Sequence, residues 1–442
     1  MAVKLEFLTQ DPEEIELATR YWAMDEEGAY LERVADLVPF RDITQSGLIA
    51  KYVRQYSLAY DENQICCRCE GPIRVGGRTE PKKNFQRSSV PCESCAEVER
   101  QQRKEREATV QAELNRRLAS HIQKVQTKTI SYLDLPDDVV ILLQAIDAVV
   151  TPRLTQGTFT MKDCEELTPF ASNEFVMRLY KADTLLDDPR VAGPGAYSLQ
   201  DDKVWIKFYQ LHFFLPPDET YGRGEEAFKL LIDRKFADSE ALINLWLDYA
   251  VGDVLRYLFD QCSNYNQTLE DDAIERIKST VRHGLRKYSV AQLWFVMWKV
   301  VKDAASLASR EYYTRAKATS TIPNKIRKQL EIADQEGGIR RSWDRPDPHI
   351  AGSLGMLFAT LFGIDEYSPG EKVLGIFTLL GERASEAADA ELDSLANSFM
   401  RGALEGQNAA PALEAFAEMI RAGLTTKDAI IEMIDRNIER FE

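Results

Sequence analysis

Five of the seven cysteines fall between Cys66 and Cys95. Two Cys-x-x-Cys pairs, Cys66/Cys69 and Cys92/Cys95, are separated by 22 intervening residues, and no other feature constrains the chain as tightly. Two thiols three residues apart on a tight turn can face one ion, so each pair supplies one edge of a tetrahedron. Cys67, next to Cys66, is an alternative ligand. In a reducing compartment such clustering points to metal and away from disulfides. Four protein ligands close the coordination sphere, leaving no position for substrate or activated water, so the expected ion is a structural Zn²⁺. A segment of about 35 residues buries too little apolar surface to fold alone. The ion is therefore expected to supply much of its stability, on the order of 10 kcal/mol in isolated modules of this kind.

Gly71 follows the first pair where a knuckle is expected to need a residue without a Cβ, and Ile73 to Thr79 read as a hairpin around Gly76-Gly77. With the cysteine spacing, these features resemble a zinc ribbon, and the resemblance covers residues 63–97. The wider arrangement, a ribbon followed by a helix-rich body containing Tyr288-Ser289-Val290-Ala291-Gln292 and Lys302-Asp303-Ala304-Ala305, is similar to large uncharacterised bacterial helix-rich proteins. That resemblance implies a cytoplasmic bacterial protein and no particular activity.

A chain of 442 residues with 44% hydrophobic content has material for several cores. The pattern predicts a mainly α, multidomain protein with the small ribbon and a winged-helix-like α/β insert. The expected regions are an N-terminal helical region (1–62), the ribbon (63–97), a charged connector helix (98–134), the winged-helix-like domain (135–218), a helical domain with a basic face (219–345) and an acidic helical domain (346–442). Asp11-Pro12 and Ile43 to Gly47 open the first two helices, the second with Leu48, Val53 and Tyr56 on its face. Within the insert, Ser172 is placed to cap a helix and Lys203 to Leu215 read as a strand. Further on, Gly284 ends an amphipathic stretch and Ser289/Gln292 form a capping box. His349 to Ile364 is too short and too glycine-interrupted for a membrane span and reads as a buried helix. The N-terminus lacks the basic-then-apolar pattern of a secretory signal, so a cytoplasmic location with no membrane partner is expected.

Charge supplies the functional expectation. The net charge is −16, which excludes a protein coating nucleic acid with its whole surface. Yet residues 281–345 carry fourteen Lys and Arg against six Asp and Glu. The stretch between Cys66 and Cys92 adds Arg68, Arg74, Arg78, Lys82, Lys83 and Arg87 against Glu70 and Glu80. Candidate nucleic-acid contacts are therefore Arg74, Arg78, Lys82, Lys83 and Arg87 in the ribbon, with Lys299, Lys302, Arg315, Lys317, Lys325, Arg327, Lys328, Arg340 and Arg341 on the basic face. Phe85, Tyr312, Tyr313 and Trp343 are interleaved as stacking surfaces. Trp294 and Trp298 read as core. The leading expectation is non-catalytic binding of DNA or RNA. An alternative is an interaction scaffold, pairing acidic and basic regions or taking a protein partner through the acidic domains. A further alternative is a metal-dependent nuclease built on Asp201, Asp202 and Lys203 with Asp187 or Asp188. No phosphate-loop, zinc-protease or serine-hydrolase motif occurs, and the four histidines are scattered.

Overall fold

A computed structural model describes residues 3–26, 28–81, 85–405 and 409–438. The chain forms two compact units, Met1–Arg116 and Arg117–Glu442. It is mainly α, with sixteen α-helices and a few small sheets among the described residues.

The first unit contains strand β1 (Val3–Phe7), helices α1 (Pro12–Trp22) and α2 (Ser46–Tyr56), strands β2 (Ser57–Ile65), β3 (Pro72–Val75) and β4 (Gln86–Arg87), and the start of helix α3 (Glu93–Thr127). α1 opens at Asp11-Pro12 as expected, and the Asp11 carboxylate caps it by accepting from the Glu13 N–H at 2.9 Å. The two helices stand where the sequence placed them, but a wholly helical residues 1–62 is corrected. β1 and β2 pair antiparallel from Val3↔Asp61 to Phe7↔Ser57, and β3 lies on the other side of β2. The expected 73–79 hairpin is likewise absent, because β3 finds its partner in β2. Leu17, Ala18, Tyr21 and Trp22 from α1 meet Ile49 and Val53 from α2 over Val3, Ala59 and Val75 of the sheet. Leu48, expected on the buried face of α2, is exposed.

The second unit continues with α4 (Asp137–Val150), α5 (Arg153–Gln156), α6 (Ser172–Lys181), β5 (Leu186–Asp187), β6 (Tyr197–Gln200), β7 (Lys203–Ile206) and β8 (Phe213–Phe214). There follow α7 (Glu225–Ile232), α8 (Ser239–Asn264), α9 (Asp271–Gly284), α10 (Val290–Ala308), α11 (Arg315–Thr319), α12 (Ile322–Gln335), α13 (Gly352–Phe362), α14 (Gly370–Glu405), α15 (Ala409–Arg421) and α16 (Thr426–Ile438). Helices precede the β6–β7 hairpin, the order a winged-helix-like insert requires. The expected 203–215 strand is broken, however: β7 ends at Ile206, a 3₁₀ turn spans Phe208–Gln210, and only Phe213–Phe214 resume pairing, with β5. Ser172 does not cap α6; its hydroxyl instead accepts from the Thr168 N–H (3.1 Å) and donates to the Glu165 carbonyl (3.1 Å).

One buried apolar cluster draws on residues from Tyr132 to Phe377, and a second joins Phe399, Ala412, Met419 and Ile430 of α14–α16. α10 crosses the centre of the larger cluster, and Trp294 is wholly buried. The α10 capping box is present: the Ser289 hydroxyl accepts from the Gln292 N–H (3.2 Å), and the Gln292 side chain accepts from the Ser289 N–H (2.9 Å). Gly284 serves packing, since a methyl there would sit 3.0 Å from Leu330 Cδ1. α13 forms within the expected 349–364 stretch but is buried on one face only, with Leu354 and Phe358 inside and Met356 and Leu361 exposed, and Gly355 leaves room for the Tyr249 hydroxyl where any side chain would overlap it. No described helix is long and apolar enough to cross a membrane.

Candidate metal centre

β2 delivers the chain to Cys66, and a tight turn holds the first pair. The Cys66 N–H donates to the Gly71 carbonyl (2.8 Å) and the Glu70 N–H to the Cys66 carbonyl (3.2 Å). The left-handed residue of this turn is Glu70, at φ +60°. Gly71 is not the position that needs to lack a Cβ, since one there would make ordinary contact with Cys69 Sγ at 3.5 Å. β4 then pairs parallel with the end of β2, Gln64↔Gln86 and Ile65↔Arg87, which brings the chain back to the first pair. Cys92 immediately precedes α3 and Cys95 lies in its first turn, where unpaired N–H groups and the helix dipole favour a thiolate.

The four Sγ atoms of Cys66, Cys69, Cys92 and Cys95 lie within 4.8 Å of one another, with Cys69 and Cys92 sulfurs 3.7 Å apart. Tetrahedral bonds of roughly 2.3 Å to sulfur require sulfur separations near about 3.8 Å. Among the described residues this is the only group of three or more Cys, His, Asp or Glu drawn together closely enough to hold an ion, and it excludes Cys67. Backbone N–H groups of Cys69, Cys92 and Arg68 lower the Cys66 thiol to about 6. The Ser94 hydroxyl lowers Cys92. Hydrogen bonding with Cys92 and Cys69 pushes Cys95 up to about 12. Crowded thiolates repel, so without a cation the group retains protons; a divalent cation removes that penalty. The donor set fits a metal ion.

The ribbon cations have divergent fates. Arg74 pairs with Glu93 (3.4 Å), Arg87 with Glu70 (3.4 Å), and Arg68 with Glu99 (2.7 Å), all in exposed positions. Arg78 is withdrawn from solvent: its guanidinium lies between Tyr21 (4.4 Å) and Tyr30 (4.6 Å), and it donates to the Glu32 carbonyl at 2.5 Å. Its Nε and Nη2 are buried without a hydrogen-bond partner. Arg78 is thus a packing residue of the first unit. Lys82 and Lys83 lie outside the described residues. Phe85 is 67% exposed.

The basic segment divides in the same way. Arg345 is drawn into the core by Asp253 (2.8 Å) and Glu366 (3.3 Å). Arg282 is held by Asp248 and Asn244, and Lys287 by Asp334 (2.9 Å). Among the described residues, no carboxylate lies within ion-pair distance of Lys299, Lys302, Arg315, Lys317, Lys325, Lys328, Arg340 or Arg341, while Arg327 has only Glu331 at 3.6 Å. Lys299 donates to Gln329 (2.8 Å), joining α10 to α12. Lys302 lies over Trp298 (4.8 Å), Lys317 over Tyr313 (5.1 Å) and Arg341 over Phe295 (6.0 Å). Tyr312 is 86% exposed. Trp298, read as core, packs against the edge of the larger apolar cluster, as does Trp343, and Phe295 lies beside Trp298 on α10.

The carboxylates considered for a nuclease hold separate partners. Asp187 is buried and accepts from His121 (3.0 Å), Tyr180 (3.1 Å) and Tyr197. Asp188 pairs with Arg190 (2.6 Å), and Asp202 with Arg117. Asp201 and Asp202 form the β6–β7 turn, both at positive φ, and Lys203 is exposed.

Compared with protein families, with curated proteins and with solved structures, the chain matches none, and the reading of its function rests on its own residues.

Proposed function

We propose that this is a non-catalytic, cytoplasmic nucleic-acid-binding protein that carries a structural Zn²⁺ on Cys66, Cys69, Cys92 and Cys95. Zinc suits four soft thiolates gathered within 4.8 Å of one another. DNA or RNA phosphates are contacted through the ribbon residues Arg74, Arg87, Lys82 and Lys83 and through the face carrying Lys299 to Arg341. The observation that carries this reading is the sorting of cations within residues 281–345: Arg282, Lys287 and Arg345 have carboxylate partners, whereas eight of the nine proposed contacts on the same segment have none within ion-pair distance among the described residues. Cations left without a carboxylate partner in an acidic chain are available for phosphates, whose counterions are released on binding.

Fluorescence anisotropy of zinc-loaded protein with labelled single- and double-stranded DNA and RNA, at low and physiological salt, tests it. Saturable binding that weakens steeply with salt is expected. Replacing Lys325, Arg327 and Lys328 with Ala should lower affinity for all sequences and flatten the salt dependence by about one for each lost phosphate contact. An unchanged affinity and slope would remove this face from the proposal.

A second reading, an interaction scaffold, draws on a different observation. α14–α16 expose Leu379, Met400, Leu404, Leu413, Ile420 and Ile431, more apolar surface than these acidic helices need for their own packing. Co-purification of a protein partner in place of nucleic acid, lost on replacing Leu404 and Leu413 with Glu, would favour it.

A further inference from the structure

We propose that Phe295, Trp298 and Trp343 form a stacking platform for the bases of single-stranded nucleic acid. This rests on the nucleic-acid reading and deepens it by naming the strand state. Phe295 and Trp298 lie three residues apart on α10, with ring centroids 6.1 Å apart and planes at 28°. Trp343, from the segment after α12, meets both edge-on, 5.8 Å from Phe295 and 5.4 Å from Trp298. The core-facing stripe of α10 is filled by Leu293, Trp294, Met297 and Val301, all wholly buried. Phe295, Trp298 and Trp343 are instead half-buried, so they form an aromatic margin beside the core.

Cations surround this margin. Lys302 lies over the Trp298 ring and Arg341 over Phe295, while Lys299 reaches Gln329 of α12, the helix that also carries Lys325 and Lys328. Of the acids adjoining in sequence, Asp344 is engaged by the Tyr367 hydroxyl (2.7 Å), and Asp303 is exposed beside Lys302. An exposed cation–π contact is weak. A phosphate can therefore draw the Lys302 ammonium off the indole, and the adjoining base takes the vacated ring face. The same lysine covers the ring in the free protein and neutralises the backbone in the complex. A duplex keeps its base faces stacked on each other and offers only its phosphates, whereas a single strand offers both.

The test compares a single strand with a duplex of equal length by anisotropy, using the full zinc-loaded protein and the variants Trp298→Leu, Phe295→Leu and Lys302→Ala. The single strand should bind more tightly than the duplex. Each ring variant should lower single-strand affinity about tenfold while leaving the salt slope and duplex affinity unchanged, and Lys302→Ala should reduce the salt slope by about one. Phe295→Leu, at a partly exposed ring, keeps the test decisive if Trp298→Leu proves unstable in a thermal melt. Equal binding of both strand forms, unaffected by the ring variants, would overturn the platform and leave the nucleic-acid reading intact. Absence of any binding at low salt would overturn both.

Discussion

At the scale of single residues, position decides which of several chemically similar side chains is used. Cys66 sits inside the thiol group and Cys67, one residue on, stands outside it. Replacing any of Cys66, Cys69, Cys92 or Cys95 with Ser should abolish stoichiometric zinc, read by metal analysis, whereas Cys67→Ser should retain it. His121 offers a pH test. Its hydrogen bond to the Asp187 carboxylate raises the imidazole pKa above the usual value of about 6.5. Burial pushes Asp187 upward, but the hydrogen bonds from His121 and Tyr197 outweigh it and leave that carboxyl below its usual range. The folded protein thus holds the His121 proton more tightly than the unfolded chain and the Asp187 proton less tightly. The histidine contribution is complete below about pH 6.5 and is lost as pH rises through the raised value. The aspartate contribution is complete above about pH 4 and is lost as pH falls, so the pair stabilises most between those limits. Urea unfolding at pH 5.5 and 8.5 should show the native protein losing more stability across this interval than His121→Gln; equal losses would exclude the pair as their cause.

Elements whose cause is local were legible in the sequence. The helix start at Asp11-Pro12 and the Ser289/Gln292 box need only neighbours two or three residues away, and both form as read. Ser289→Ala should cost about 1 kcal/mol in a denaturant titration. The cysteine cluster was also legible, because each ligand pair is local and the chemistry of thiols narrows the outcome. β1 and β2 were not: the inward positions of β2 are Ser57, Ala59 and Asp61, so no apolar alternation announces the strand, and β1 pairs with it across fifty or more residues of chain. Arg78 was misread for the same reason, since the rings that sandwich it come from Tyr21 and Tyr30. In the 203–215 run, β-prone composition hid the turn at Phe208–Gln210. Tight helix approach was only half visible, as Gly284 read as a terminator yet acts as a spacer against Leu330. Gly355→Ala should cost roughly 1–3 kcal/mol through overlap with Tyr249, and an unshifted thermal midpoint would show that α13 accommodates the methyl by moving.

Across the whole molecule, the two compact units have separate apolar cores, and only the first contains the thiol group. Scanning calorimetry should therefore resolve two transitions, and a chelator should lower one of them while leaving the other in place. Displacement of both would mean that the units unfold together. The ligand pairs themselves are fixed by the β2–β3 turn, by β4 and by the start of α3. An ion bound by all four thiols closes a ring of chain running from Cys69 to Cys92, so a protease cut inside that ring should leave the two fragments joined while the ion is held and let them part once a chelator removes it.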